Sequence, residues 1–325
     1  MQSTQQTTWP AYPPAVRGHE TMHRIRVQPT DVGIAGFVDG GTLLEWIERV
    51  AHATATQWCG GQCVAASVGN LHLDRPISVG EVVELQACLV YTGRSSIHIL
   101  VTIHSSDAGR AKVGQTAQCP IVFVALDSAG NTVEVRSWTP VTMLELQRHR
   151  QARVRIRMRK RIECAMAAQS YTSDGTAPCS TLQVRTERTH ALSGGRVMRW
   201  IDEAAYRCGA RWAGADVITS YLAGIRFHRP IAIGDVIEVS ARIIHTGPRS
   251  IHVSVHVTAT DTSDGQSHLV AHGLVVVVSL DERGQARPIP AWEPGSAEDH
   301  RLDLHARELI ELRQFIEPFT TVRQS

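Results

Sequence analysis

Apolar and polar residues alternate with a period of two along several stretches of this chain, and each stretch has a second version further on. In "YTGRSSIHILVTIHSSD" (91–107), Ile97, Ile99, Val101 and Ile103 fall on one face, while His98, Leu100, Thr102 and His104 fall on the other. That spacing predicts a strand with one face on a core. "HTGPRSIHVSVHVTATD" (245–261) repeats it in altered form. Further strands are predicted in "HRIRVQ", "EVVELQACLV" and "CPIVFVAL", matched later by "STLQVR", "DVIEVSARII" and "HGLVVVVSL". After the first strand of each set comes a double glycine, and the period then becomes helical. Leu43, Leu44, Ile47, Val50 and Ala51 mark one helix, and Val197, Met198, Ile201, Ala204 and Ala205 the other. An apolar face this broad predicts a largely buried helix.

The two versions keep a constant register: Gly40 and Gly194, Pro76 and Pro230, Gly93 and Gly247, and Trp138 and Trp292 are each 154 residues apart. A repeat of that length is a whole domain rather than a solenoid unit, and a chain of 325 residues suits two domains. The expected organisation is a tail at 1–19, a first domain at 20–140, a basic connector at 141–175, a second domain at 176–294, and a C-terminal helix and tail at 295–325. Each domain reads as α+β, one long helix against a curved antiparallel sheet; joining the two sheets edge to edge would remove exposed strand edges. The arginine run of the connector is expected to be a solvated linker. It lacks interleaved aromatics and any nucleic-acid motif, so no nucleic-acid partner is expected. Leu302, Ala306, Leu309, Ile310 and Leu312 predict a closing helix near the end.

Composition narrows the function without choosing it. Hydrophobic residues at 43%, charged residues at 20% and a formal charge of +2 describe a globular chain with no global pull towards polyanions. Seven cysteines, odd in number and scattered, point to free thiols in a reducing cytoplasm rather than a disulfide framework. Cys59 and Cys63 have no second pair at ligand spacing, and His252 and His256 lie roughly 13 Å apart along a strand, so no metal is expected. These histidines are expected on the outward face of the sheet. The N-terminal segment does not read as a signal peptide, and no apolar run reaches the length of a membrane span. Neither a Gly-rich dinucleotide fingerprint nor a G-x-S-x-G elbow occurs.

Taken together, "GFVDGGTLLEWIERVA", "DRPISVGEVVEL" and "YTGRSSIHI", repeated as "HALSGGRVMRWIDEAA", "HRPIAIGDVIEV" and "HTGPRSIHV", resemble the tandem hotdog-fold acyl-CoA thioesterases. The resemblance covers both units. It implies two fused hotdog domains, an acyl-CoA substrate hydrolysed to a free acid and coenzyme A, no cofactor beyond the coenzyme A of the substrate, and clefts shared between the units. Self-association, as a trimer of the double unit, is implied too. Thioester hydrolysis needs a donor for the carbonyl oxygen and a group that activates water. Backbone N–H groups at Gly40, Gly41, Gly194 and Gly195 can serve as donors, because the first turn of a helix leaves them without intrahelical partners; from spacing alone the glycines could equally form a tight turn. Asp202 matches the family's catalytic aspartate and Glu48 occupies the same place in the first unit. Each sits two turns into an apolar helix, where a carboxylate needs a partner or a function; ion pairs with Arg199 or Arg49 are the structural alternative. Thr219 is implied to line the thioester site, whereas its counterpart Ala65 has no donor. Arg94, Ser95, Ser96, Arg249 and Ser250 are candidates for coenzyme A phosphates, or simply polar hairpin turns.

One departure stands out. The family often carries an asparagine seven positions before the double glycine, and here those positions hold Gly33 and Glu187. The second loop reads as about three residues shorter, and Asp39 or His190 are the available substitutes. The rival functions are a non-catalytic acyl-CoA binding or sensing protein and a hotdog hydratase or dehydratase, the latter lacking an identifiable His and Asp pair.

Overall fold

The computed structural model describes residues 15–33, 36–73, 75–106, 114–167, 169, 177–185, 193–282, 284–313 and 318–320. The strands are, in chain order, β1 (Ala15–Arg17), β2 (Glu20–Arg26), β3 (Gln62–Val68), β4 (Leu71–His72), β5 (Val82–Thr92), β6 (Ser96–Ser106), β7 (Gly114–Leu126), β8 (Cys179–Arg185), β9 (Ile218–Phe227), β10 (Val236–Thr246), β11 (Ile251–Thr260) and β12 (Ser267–Val278). The helices are α1 (Gly40–Cys59), α2 (Met143–Ala167), α3 (Gly194–Ala213) and α4 (Ala297–Arg313).

All these strands belong to one antiparallel sheet in the order β1-β2-β5-β6-β7-β3-β9-β12-β11-β10-β8, with β4 also on β9. The order reads as one unit followed by its mirror. The units meet where Ser67 and Val68 of β3 pair with Arg226 and Ile225 of β9, and where Leu71 and His72 of β4 pair with Leu222 and Tyr221. Edge-to-edge joining was the expectation, and it leaves each unit's interior edge paired.

Helices α1 and α3 lie on the same side of this sheet and pack against each other. They are built alike. Asp39 caps α1 by accepting the Thr42 N–H at 2.6 Å, Ser193 caps α3 by accepting the Arg196 N–H at 3.3 Å, and Gly60 and Gly214 end them with left-handed φ of 67° and 65°. Leu43, Ile47, Ile99, Ile103 and Phe123 of the first unit merge into one core with Met198, Ile201, Val253 and Val275 of the second. Each such side chain contributes roughly 1.5–3 kcal/mol by leaving water. The two helices approach closely where they cross at their glycines: a Cβ on Gly41 would lie 2.9 Å from Arg199 Cγ, and one on Gly195 3.3 Å from Glu45 Cα. Glu45 and Arg199 hold equivalent places in the repeat and form an ion pair at 3.0 Å.

Several expectations need correction. The connector is not a solvated linker: it folds as α2 and covers the outer face of the first unit, where Ala152 packs with Cys88, Val90, Leu100 and Phe319. α4 does the same for the second unit, Leu302, Ala306 and Leu309 packing on Ile244 and Leu274. α2 and α4 are therefore the same element repeated. The reason the charge run misleads is that α2 mixes arginines into its inward stripe, so no clean apolar period is visible. The strand histidines do lie on the outer face, but under these helices they are buried, with His98 7% and His252 5% exposed. At the N-terminus, residues 15–17 of the expected tail form β1 on β2. Finally, the second loop is five residues shorter rather than three. Arg26 pairs with Val82 and Arg185 with Val236, so the first strands are offset by 159 while the double glycines keep 154.

Candidate active site between the two units

The N-terminus of α1 meets the middle of α3, and Asp202 stands at the meeting point. Its side chain is 6% exposed. One carboxylate oxygen accepts the Gly41 N–H at 2.8 Å, and the other accepts the Thr219 hydroxyl of β9 at 2.5 Å. The sequence separation between Gly41 and Asp202 is 161 residues, so the contact joins the two units. Gly40 is needed sterically: a Cβ there would fall 2.9 Å from Thr219 Cβ and closer still to the Asp202 carboxylate. Burial, with a smaller contribution from the nearby Asp39 charge, raises the Asp202 carboxyl to about 6, against the pull of its two hydrogen bonds. Arg199, the alternative ion-pair partner, is turned to Glu45 instead.

Asp202 opens onto a cavity of about 380 Å³ lined by Gly33, Asp39, Gly40, Thr219 and, on α3, Arg199, Tyr206 and Arg207. A second cavity of about 210 Å³ shares Phe37, Val38, Ile218 and Thr219 with it and continues past Leu43, Leu73, Ile77 and Val278. The first is lined about equally by polar and apolar groups, and the second is somewhat more apolar. Among the described residues nothing accepts a hydrogen bond from the Gly40 N–H, the first donor of α1. A helix N-terminal donor can polarise a carbonyl, and a buried carboxyl raised to about 6 beside it can, when ionised, take a proton from water.

The repeat builds a second junction from the other helix ends. Gly194 and Gly195 of α3 face Glu48 of α1: Cβ atoms placed on them would lie 3.8 and 3.3 Å from its carboxylate oxygens, and the one on Gly194 3.1 Å from Ala65 Cβ. Glu48 is 8% exposed, and burial pushes its carboxyl above the usual range. Among the described residues no group donates a hydrogen bond to it. Ala65 stands where Thr219 stands in the first junction and has no hydroxyl to offer.

Other predicted positions fall elsewhere. Gly93 N–H donates to the Ser96 carbonyl and Gly247 N–H to the Ser250 carbonyl, so both "TG" stretches are tight hairpins. Arg94 is exposed and paired with Glu134 at 2.6 Å; Arg249 is exposed; Ser96 and Ser250 lean on His98 and His252. Ser95 accepts the Ala125 N–H through its carbonyl. Glu187 and His190 lie outside the described residues. Tyr206 and Arg207 were missed, although the spacing of Tyr206, four residues after Asp202, places it on the same face of a helix. Among the described residues no cluster of three or more metal-ligating side chains occurs, and no helix is long and apolar enough to cross a membrane.

Two units, each a long buried helix packed on an antiparallel sheet, joined edge to edge, make this a tandem hotdog protein. The pattern of the thioesterase superfamily matches residues 35–112 and again 190–265, once in each unit. A mouse cytosolic acyl coenzyme A thioester hydrolase is 26% identical over 306 residues, spanning 86% of this chain and 79% of its own length. A threonine-to-alanine variant of an acyl-CoA hydrolase from Staphylococcus aureus is 31% identical over 46% of this chain and 93% of its own, with a TM-score of 0.43. A protein assigned as an oleoyl thioesterase from Lactobacillus plantarum shares the fold across 82% of this chain and 98% of its own, with a TM-score of 0.56 and 11% identity. The chain belongs to the thioesterase superfamily and carries its hotdog unit twice.

Proposed function

We propose that this protein hydrolyses acyl-CoA thioesters to a free acid and coenzyme A, and that hydrolysis takes place in the Asp202 cleft. The observation that carries the reading is the Asp202 carboxylate, buried, held by Gly41 and Thr219, and open to a cavity formed by both units. In this reading the thioester carbonyl lies on the Gly40 N–H at the positive end of α1, where charge develops on oxygen in the transition state. Asp202, ionised, takes the proton from the attacking water. Thr219 fixes the carboxylate so that its other lone pairs face the cavity. The acyl chain runs into the apolar extension past Leu43, Leu73 and Ile77, and Arg199 and Arg207 at the mouth supply positive charge towards the carrier phosphates. Arg94 and Arg249, exposed on the hairpins, remain candidates for the same role.

Gly33 lies in the wall of this cleft, so the missing asparagine concerns the Asp202 site itself. That observation favours the second reading, an acyl-CoA binding protein without turnover. Thiol release from short, medium and long acyl-CoAs separates the two when Asp202→Asn is run beside the parent. Hydrolysis by the parent and its loss in the variant support the first reading; tight binding without release from any chain length supports the second. The assembly in this proposal is a trimer of the double unit, measurable by light scattering, and the seven free thiols suit a reducing cytoplasm.

A further inference from the structure

The outer faces of the two units are covered by equivalent helices, yet the covers differ where they touch the sheet. Displaced by the repeat of 154, Leu302, Ala306 and Leu309 of α4 correspond to Arg148, Ala152 and Arg155 of α2. The second unit is closed by an aliphatic stripe flanked by buried carboxylates that pair with the sheet, Asp299 with Arg242 and Asp303 with His245. Under α2 the sheet is met by guanidinium groups, and a cavity of about 100 Å³ is left between them. One water needs roughly 10–15 Å³ by this measure, so the void takes more than solvent in ones and twos.

Its floor is apolar, from Val90, Pro120 and Val122 of the sheet and Ile156 and Ile162 of α2. Phe319 closes one side, fixed by backbone hydrogen bonds to the Gln118 amide in both directions at 2.8 and 3.0 Å. Arg155 stacks over that ring at 4.2 Å. Arg159 donates to Ser67 at 2.9 Å and faces Glu163 at 3.4 Å, while Arg226 of β9 faces the same Glu163 at 3.5 Å. Two guanidiniums, those of Arg159 and Arg226, thus share one carboxylate along the wall, and Arg155 stands one helical turn before Arg159. Burial pushes Arg155 down to about 10, which leaves it cationic at neutral pH but poorly solvated, and lowers Arg159 in the same direction. His98 nearby is pushed by burial to about 3 and adds no charge. A poorly solvated cation over an apolar floor favours an anion with an apolar body.

We propose that the cavity under α2 is a second binding site, separate from the Asp202 cleft, for a monocarboxylate of the fatty-acid class. Its carboxylate meets Arg155 and Arg159, whose planar forks match a carboxylate. Its chain lies along Val90, Val122 and Ile156. The cavity shares no lining residue with the Asp202 cleft, but both touch β9, at Gly224–Arg226 and at Ile218–Thr219.

Equilibrium dialysis of the full chain with radiolabelled butanoate, an acid short enough for a cavity of about 100 Å³, and, separately, butanol tests this. The parent should bind butanoate saturably and butanol at least about tenfold more weakly, the worth of a charge-assisted contact. Arg155→Leu installs the residue that α4 carries at the same place, and should lower the number of bound butanoates by one. Val122→Trp, which fills the floor without removing charge, should do the same. Asp202→Asn should keep this site. Circular dichroism and thiol release by the Arg155→Leu protein report that it is folded. The proposal fails if either Arg155→Leu or Val122→Trp binds as the parent does, if butanol binds equally well, or if the parent shows no saturable binding.

Discussion

The two inter-unit junctions start from the same parts and end differently. In one, the helix end of Gly40 and Gly41 faces an aspartate held by a threonine hydroxyl; in the other, the helix end of Gly194 and Gly195 faces a glutamate beside an alanine. A symmetric dimer of one unit would have to make both junctions alike. Fusion frees the copies to diverge, and the Glu45 to Arg199 ion pair shows it directly: the repeat-equivalent positions that face each other across the helix crossing carry opposite charges, which identical subunits could not arrange. The same freedom distinguishes the outer covers: α4 brings leucines and carboxylates that pair with Arg242 and His245 of its sheet, whereas α2 brings arginines.

The comparison can be broken most forcefully at Asp202. Asp202→Asn keeps an acceptor for the Gly41 N–H and a partner for Thr219 but removes the charge, and should lower kcat by roughly 10²–10⁴-fold in a thiol-release assay. The same variant should be more resistant to heat at pH 8. The folded pKa of Asp202 is raised to about 6, so the folded state holds its proton more firmly than the unfolded chain. Stability from this group is full below the unfolded carboxylate range and is lost as pH rises through about 6, a loss that asparagine escapes. Thermal melts at pH 4 and pH 8 should show the gain only at the higher pH.

Thr219→Ala tests the hydroxyl that the other junction lacks. Turnover should fall by about tenfold, the value of a buried hydrogen bond to a charged group. Because that bond holds the Asp202 pKa down, the acid limb of the kcat/KM profile should move to higher pH from about 6. Gly33→Asn restores the amide that the family often places in this cleft. A Cβ there sits at an ordinary 3.5 Å from Asp39, so the side chain fits, and a gain in kcat of up to about tenfold is expected if the donor is missing.

Smaller effects belong to the Glu48 junction. Glu48→Gln should leave turnover within about twofold of the parent, since a residue remote from the reacting atoms adds only its structural effect. The double change Glu48→Asp with Ala65→Thr copies the Asp202 arrangement. It should at best bring turnover per chain to about twice the parent value, as two independent sites add. A larger loss from Glu48→Gln than from Asp202→Asn would reverse the assignment of the clefts.

Much of this was legible along the chain. The 154-residue register, the two buried helices and the alternating strands follow from period alone, and Asp202 stood out as a carboxylate among apolar neighbours. Gly40, Gly41 and Thr219 were named with it. The α2 helix was not legible, because Arg148, Arg155 and Arg159 interrupt the stripe that α4 shows plainly in Leu302, Ala306 and Leu309. Arginine stems can cover apolar surface while their heads find partners, and a charge count does not reveal that. The strand histidines misled for the same reason: their face looked outward until the helices covering it were in place.

What the sequence by itself determined is therefore local and periodic: which segments are strands, which helices are apolar on one side, and that the whole unit occurs twice. Only the tertiary structure decided that Asp202 meets Gly41 across 161 residues, that Glu48 meets a helix end without a hydroxyl beside it, and that the second loop is shorter by five residues. The physical reason is that period records how a segment faces its own core. Which helix end abuts which carboxylate depends on how two such cores pack, and neither segment carries that information alone.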